Sequence, residues 1–256
     1  MSPNKVKDGV PSKSLLALIN IMTENDKKQS LSNDLAITIA KTGGVELPAE
    51  ILEFTIDQAM DESIFRDIPV VGWLAKGVSI TRSISDRIFH HKILRFLMAL
   101  EEVGENKRDD FRSSVENDPS FRRKVGEHLL IVLNKIDAFE KTSLLAKCFD
   151  HYLTGDIDFQ YFTDLSNIIE RTPLSDLSAL SVPPNKRVVF SSIGVAVACG
   201  ILEYGITDAS YGEGTPELGT KMSTYGKDLR DIFLDQFRER KASEKKQREA
   251  LFGSED

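Results

Sequence analysis

Residues 125–139 read VGEHLLIVLNKIDAF, and this stretch decides the fold class of the chain. Its large apolar residues recur at intervals of three or four, the spacing of residues that share one side of an α-helix. The residues on this side are Val125, Leu129, Val132, Leu133, Ile136 and Phe139. The pattern therefore predicts an amphipathic helix whose apolar face packs into a hydrophobic core.

Helical spacing continues on both sides of this stretch. Downstream, apolar residues between 144 and 152 predict a second helix, and residues 159–169 predict a third. Upstream, the Ser-Asn-Asp sequence at 32–34 offers N-cap side chains for a short helix. A longer helix is predicted over residues 79–102. We therefore expect an all-helical domain over residues 15–175.

The composition is that of a globular protein with an excess of acidic residues. Of 256 residues, 41% are hydrophobic and 29% are charged, which is too apolar for overall disorder. A chain of this length can bury one large core or two smaller ones. The formal net charge is -7, whereas non-specific nucleic-acid binders carry basic surfaces that neutralise phosphates. Nucleic acid is therefore not the expected partner.

Cysteine usage and the polar N-terminus predict a cytoplasmic protein. Cys148 and Cys199 are too few for a disulfide scaffold, and both lie in apolar patterns that predict burial. Residues 1–14 lack the apolar segment of a signal peptide. No run of about eighteen apolar residues predicts a transmembrane helix. We expect a bacterial cytoplasmic location, with peripheral contact at the inner membrane left open.

A basic amphipathic segment follows the most unusual stretch of the chain. Residues 68–78, IPVVGWLAKGV, contain the only tryptophan, and the helix predicted over 79–102 is rich in basic residues. Three interpretations stay open: a core helix with outward cations, a membrane-contacting segment, and a partner-binding helix. The residues that would contact a membrane or a partner are Trp73, Lys76, Arg82, Arg87, Lys92 and Arg95.

The C-terminal part of the chain resembles a winged-helix domain. Residues 195–204, VAVACGILEY, look like the end of a helix followed by the first strand of a wing. The sequence Thr-Tyr-Gly at 224–226 looks like the opening of the final helix. The resemblance covers residues 185–237 and implies a small helical domain with a two-stranded wing.

The predicted fold is therefore mainly α, with a helical bundle-like N-terminal and middle region and a small C-terminal winged-helix-like domain. A run rich in proline and serine marks the boundary between the two. The predicted divisions are an all-helical domain at 15–175, a linker at 176–186, a winged-helix-like domain at 187–240, and a charged, disordered tail at 241–256.

The winged-helix resemblance raises DNA binding as an alternative function. Lys186 and Arg187 precede the apolar run and are the residues that would contact nucleic acid. A DNA-reading helix carries Arg, Lys, Asn or Gln side chains. Residues 188–199 offer only Ser191 and Ser192 as polar side chains, so this run is better suited to packing than to phosphate contact.

The sequence carries no catalytic or cofactor motif. It has no Gly-x-Ser-x-Gly elbow and no P-loop, and its four histidines lack the spacing of a metal site. We therefore predict no catalytic residue, no cofactor and no metal, and we do not expect an enzyme.

Residues 150–161, DHYLTGDIDFQY, are similar to an EF-hand calcium loop in their first acid and in Gly155. The third, fifth and twelfth positions carry tyrosine, threonine and tyrosine in place of the strong oxygen ligands. We instead expect Gly155 to end one helix and Asp156 or Asp158 to cap the next.

These observations together predict a non-enzymatic interaction or regulatory protein of the bacterial cytoplasm. Its partner is expected to be another protein, and self-association into a homo-oligomer is left open. One alternative is a membrane-acting effector of toxin or phage-defence type, which would use residues 68–78 and 79–102. The other is a winged-helix regulator that binds DNA.

Overall fold

The computed structural model describes residues 29–41, 84–100, 109–182, 187–207 and 217–252. Within these ranges the chain is mainly helical, with one antiparallel hairpin, which confirms the predicted mainly α class. In chain order the elements are α1 (29–41), α2 (Ile84–Ala99), α3 (Asp109–Asn117), α4 (Pro119–Lys135), α5 (Phe139–Leu153), α6 (Phe159–Arg171), α7 (Leu174–Ala179), α8 (Ile193–Cys199), β1 (Leu202–Thr207), β2 (Glu217–Met222), α9 (Thr224–Phe233) and α10 (Phe237–Phe252).

The hydrophobic core is centred on helix α5. This helix packs against α2, α6 and α9, and its Phe149 side chain is fully buried. The ring centroid of Phe149 lies 5.0 Å from that of Phe162, 5.8 Å from Phe96 and 5.9 Å from Phe111. Because these rings come from α6, α2 and α3, one aromatic side chain joins four helices.

Helix α4 carries the apolar face predicted from its spacing, but the helix ends at Lys135, before the predicted face ends at Phe139. Asp118 caps its start by accepting hydrogen bonds from the backbone N–H groups of Ser120 and Phe121. Its residues Val125, Leu129, Val132 and Leu133 are buried, as predicted. The backbone of Ile136 leaves the helical conformation, with ψ of 129°, so Phe139 belongs to α5 instead.

Cationic side chains donate to backbone carbonyl groups near the C-terminal ends of two helices. Lys141 is 1% exposed, and its Nζ donates to the backbone oxygen of Glu170 at 3.1 Å, near the end of α6. The same Nζ lies 2.7 Å from Asp137, and this hydrogen bond lowers the pKa of the Asp137 carboxyl. At the end of α1, Arg112 Nε donates to the backbone oxygen of Ala40 at 2.9 Å.

Helix α1 crosses α4 at a glycine. A methyl group added at Gly126 would overlap the backbone oxygen of Ser32 and lie 2.6 Å from its carbonyl carbon. The chain is already helical at residue 29, so the prediction that residues 32–34 cap this helix is wrong. Ser32 is instead buried inside the helix, where its hydroxyl donates to the backbone oxygen of Gln29.

The C-terminal part contains a helix, a hairpin and a second helix in that order. Helix α8 ends at Gly200, whose φ of 90° is the left-handed conformation that glycine adopts without strain. Strands β1 and β2 then pair with Leu202 opposite Met222. Ser223 caps α9 through the N–H of Gly226, and a methyl group at Gly226 would overlap the backbone oxygen of Ile201.

The charged tail that the sequence predicts to be disordered is helical as far as Phe252. The last predicted helix is in fact two helices, α9 and α10, which are separated by a turn at residues 234–236. Phe237 is 1% exposed and anchors the start of α10 in the core. Strong helix formers and an Arg240–Glu244 ion pair on adjacent turns extend the helix beyond that anchor.

The predicted boundary at residues 176–186 is crossed by several contacts. Residues 176–179 belong to α7, and Leu177 is buried in the core. Tyr161 donates to Asp228 at 2.5 Å and Tyr225 donates to Asp164 at 2.9 Å, which joins α6 to α9. Residues 183–186 lie outside the described residues, and the division into two domains stays a prediction.

We predict opposite effects of the same substitution at two helical glycines. Gly126→Ala should destabilise the chain by about 1–3 kcal/mol, since the new methyl group overlaps the α1 backbone. Gly194→Ala in α8 meets no atom closer than Ser192 Oγ at 3.9 Å, so it should stabilise the helix by up to about 1 kcal/mol. Urea unfolding midpoints measure both. Equal midpoints for the two variants would contradict the close crossing of α1 and α4.

Candidate interaction surface

The structure describes only part of the predicted basic face. Trp73, Lys76 and Arg82 lie outside the described residues, as does the whole segment 68–78. The backbone of Arg87 lies in α2, but its side chain is also outside the described part. The prediction that these residues contact a membrane or a partner therefore stays a prediction.

Lys92, which the sequence predicts on a membrane- or partner-binding surface, is buried in the structure. It is 7% exposed, and its Nζ donates to the backbone oxygen of Ile136, with Asn134 O at 3.5 Å. Burial lowers the pKa of Lys92, and the nearby Asp137 carboxylate opposes this shift. Lys92 thus donates hydrogen bonds to backbone oxygens at the C-terminal end of α4. The nearby Arg95 is half-buried.

Three exposed aliphatic side chains lie on helix α8 or just before it, whereas Ile88 and Ile131 are exposed elsewhere. Val189 is 75% exposed, Ile193 55% and Val195 40%, although all three are large aliphatic residues. Helix α8 packs against the body of the protein through Ala196, which is fully buried, and Val197, which is partly buried. Gly194 and Ala198 are exposed as well. We call the side of the protein formed by Val189, Ile193, Gly194, Val195 and Ala198 the α8 surface.

The segment that carries the α8 surface contains no acidic residue. No Asp or Glu occurs between Asp176 and Glu203, although the chain contains 40 acidic residues. Arg187 is exposed beside it, while Lys186 lies outside the described residues. On the hairpin that follows, Tyr204 is 61% exposed, and Glu203 pairs with Lys221 at 3.3 Å.

The loop between α5 and α6 uses its acids for internal bonds. Gly155, with φ of 75°, follows α5, and Asp158 caps α6 by accepting from Tyr161 N, as predicted from the sequence. Asp156 accepts from Arg238 Nε at 2.6 Å and lies 2.8 Å from His151 Nδ1. Burial opposes the shift, but these hydrogen bonds lower the pKa of Asp156.

A second charged group holds α10 against the body. The Asp228 side chain is fully buried and accepts from Tyr161 and Arg240, with Lys241 Nζ at 3.4 Å. Arg240 also donates to Asp231, which is 3% exposed. Burial and the bond to Asp228 raise the pKa of Tyr161. Because a buried carboxylate is stable only when it is paired, this group fixes the start of α10.

A small cleft lies beside these charged groups, with a volume of about 220 Å³. Its cations are already bound to carboxylates: Lys147 Nζ lies 2.8 Å from Asp235, and Arg238 contacts Asp150 at 2.9 Å. The cleft therefore presents neutralised pairs to a ligand. Its lining residues are Ala99, Lys147, Asp150, His151, Asp235, Phe237 and Arg238.

A histidine–serine pair joins α4 to α6. His128 Nε2 lies 2.8 Å from Ser166 Oγ, and this hydroxyl lies 2.7 Å from the backbone oxygen of Thr163. Ser166 is 0% exposed, so a substrate cannot reach its oxygen. Burial lowers the pKa of His128, and the positive charge of Lys124 adds to the shift. The pair stabilises helix packing.

The two cysteines differ in environment. Cys148 is fully buried, as predicted, and burial raises the pKa of its thiol. Cys199 is only half-buried, although burial was predicted, and its Sγ lies 3.4 Å from the backbone oxygen of Arg171. Within the described ranges, no three His, Cys, Asp or Glu residues are placed to hold a metal ion.

Sequence reasoning did not identify the α8 surface as exposed. A helix that is apolar on every side is usually buried, so the run at 188–199 gave no sign of its exposure. Ser192 caps α8 through Val195 N and leaves the first turn exposed.

Comparison with known protein families, with curated proteins and with solved structures finds no significant match to this chain. In the part of the chain that the structure describes, no helix is both long enough and apolar enough to cross a membrane.

We predict that Arg240→Ala lowers the free energy of unfolding by roughly 1–3 kcal/mol, because it removes a main partner of the buried Asp228 carboxylate. Lys246→Ala, on an exposed turn of the same helix, should change it by less than about 0.5 kcal/mol. Urea unfolding measures both variants. An Arg240→Ala chain as stable as the Lys246→Ala chain would show that the charged group does not hold α10.

We also predict that stability falls as the pH is lowered through the histidine range. Burial lowers the pKa of His128, and His91 and His151 shift in the same direction for the same reason. The unfolded chain therefore binds protons first, near pH 6.5, and stability present above this pH is lost below it. His128→Gln keeps an amide donor for Ser166 but cannot titrate. Its unfolding free energy should depend less on pH, and an unchanged pH dependence would count against this role.

Proposed function

We propose that this chain is a non-enzymatic interaction or regulatory protein of the bacterial cytoplasm, and that it binds a protein partner through the α8 surface. The observation that carries the proposal is the exposure of Val189, Ile193 and Val195. Ile193 and Val195 lie on helix α8, which has no charged residue, and Val189 lies just before it. Concentrated exposed apolar area on a folded protein is typical of an interaction site.

The expected energy of such a contact is sufficient for specific binding. Complete burial of one large aliphatic side chain contributes roughly 1.5–3 kcal/mol. Three such side chains, already partly covered, supply several kcal/mol before the entropic cost of association is subtracted. The α8 surface alone therefore supports a reversible contact of moderate affinity.

The order of elements supports a winged-helix-like C-terminal unit as part of this proposal. Helix α8, the β1–β2 hairpin and α9 follow one another as the resemblance implies. Helix α8 carries no Arg, Lys, Asn or Gln side chain to read a base edge. This composition favours protein contact over DNA binding.

The membrane-acting alternative is less well supported. Burial of Lys92 and half-burial of Arg95 remove cations from the face that would meet anionic headgroups. The exposed aliphatic side chains of the α8 surface favour the interaction proposal instead.

A pair of matched substitutions tests the proposal. Ile193 and Ile131 are 55% and 54% exposed, but Ile131 lies on α4, away from the α8 surface in the sequence. A tagged chain expressed in its native cell should recover a soluble protein partner, and Ile193→Asp should lower recovery at least about tenfold. Ile131→Asp should leave recovery unchanged.

Membrane and soluble fractions are analysed separately in the same experiment. Equal recovery of the partner by the wild-type and Ile193→Asp chains would contradict the proposal. Recovery mainly with membranes, released by high salt, would favour the membrane-acting alternative instead.

A further inference from the structure

We infer that the occupant of the α8 surface is a second copy of this chain, in a two-fold symmetric contact in which α8 packs against α8. This inference rests on the proposed function, because it names the partner of the same surface. In a two-fold contact each surface meets its own copy, so the surface must be complementary to itself. Apolar side chains satisfy that condition and like charges do not.

The charge distribution of the α8 segment is compatible with self-association. Each copy carries a formal net charge of -7, so most pairs of surfaces would bring carboxylates together. The 26 residues between Asp176 and Glu203 contain no acid, and helix α8 itself contains no charged residue. Two copies can therefore meet here without opposing carboxylates at the centre of the contact.

The helical glycines supply a second argument. Gly126 and Gly226 each lie against the backbone of another segment, and a methyl group at either would overlap a carbonyl oxygen. Gly194 has no such neighbour, since its only close atom is Ser192 Oγ at 3.9 Å. Because nothing in the chain lies against this position, the backbone of a second α8 can approach it closely.

Neighbouring residues complete a surface suited to such an approach. Ala198 lies one turn after Gly194 and is also exposed, which lets two helix backbones come close. Ile193 and Val195 flank the glycine and would pack beside the symmetry axis. Val189, just before the helix, extends the apolar area.

The size of the surface sets the expected strength of the contact. A stable dimer of standard size uses about 20–30 residues from each partner, whereas α8 has 7 residues and its exposed approach adds only a few. We therefore expect a reversible dimer with a dissociation constant in the micromolar range, seen only at elevated concentration.

Sedimentation equilibrium of the full-length chain, over a wide range of concentration, tests this inference. The wild-type chain should show a monomer–dimer equilibrium. Ile193→Asp should weaken association at least about tenfold, because it places two carboxylates in one apolar contact. Val189→Asp, outside the helix, should act in the same direction, and Ile131→Asp should match the wild type. Circular dichroism and urea midpoints verify that each variant is folded.

Gly194→Leu separates specific packing from general adhesion. The position is open in the monomer, so the variant should fold. Leucine adds apolar area but keeps the two helices apart, and dimerisation should therefore weaken. Stronger association of Gly194→Leu would overturn the close helix contact. A monomeric wild type at every concentration, or a dimer indifferent to Ile193→Asp, would overturn the inference.

Photocrosslinking in the native cell distinguishes failure of the second-copy inference from failure of the proposed function. A photoreactive residue at position 189 should give a product of twice the mass of the chain. A product with a different protein would overturn the second-copy inference and leave the proposed function standing. Absence of any product would overturn both.

Discussion

The contact between Phe149 and its aromatic neighbours is the interaction on which the rest of the structure depends. The ring meets Phe162 of α6, Phe96 of α2 and Phe111 of α3, with centroid separations from 5.0 to 5.9 Å. Since large buried rings supply much of the apolar area of a core, the helices must arrange themselves around α5. The same helix also contacts α9 and so connects the C-terminal part to this core.

Polar contacts then supply hydrogen-bond partners to the backbone carbonyl groups and carboxylates that are buried beside the core. Lys92 and Lys141 donate to carbonyl groups at the ends of α4 and α6, so these helices can end inside the protein. Asp228 binds Tyr161 and Arg240 together and holds α10 in place. These contacts use many of the buried charges for structure. The uncharged helix α8 packs on the body through Ala196 and Val197, while its Ile193 and Val195 side chains are exposed.

The helical class and the apolar face of α4 could be predicted because both depend on local spacing. The end of α4 could not, since Ile136 keeps the apolar period while its backbone turns away. Lys92 looked like part of a basic surface because its partner is a backbone oxygen 44 residues away. Gly126 is explained only by the crossing of α1, and Arg240 only by carboxylates on α9. Contacts between distant residues have no local signature.

Amide hydrogen exchange over residues 187–199 tests the central claim, that the α8 surface is covered when the protein acts. The purified, isotopically marked chain is measured in dilute buffer and again in extract from its native cell. A short exposed helix should exchange quickly in buffer. We predict slower exchange in the extract at residues 187–199, with residues 119–135 unchanged. Equal exchange in both conditions, or protection confined to another helix, would contradict the account.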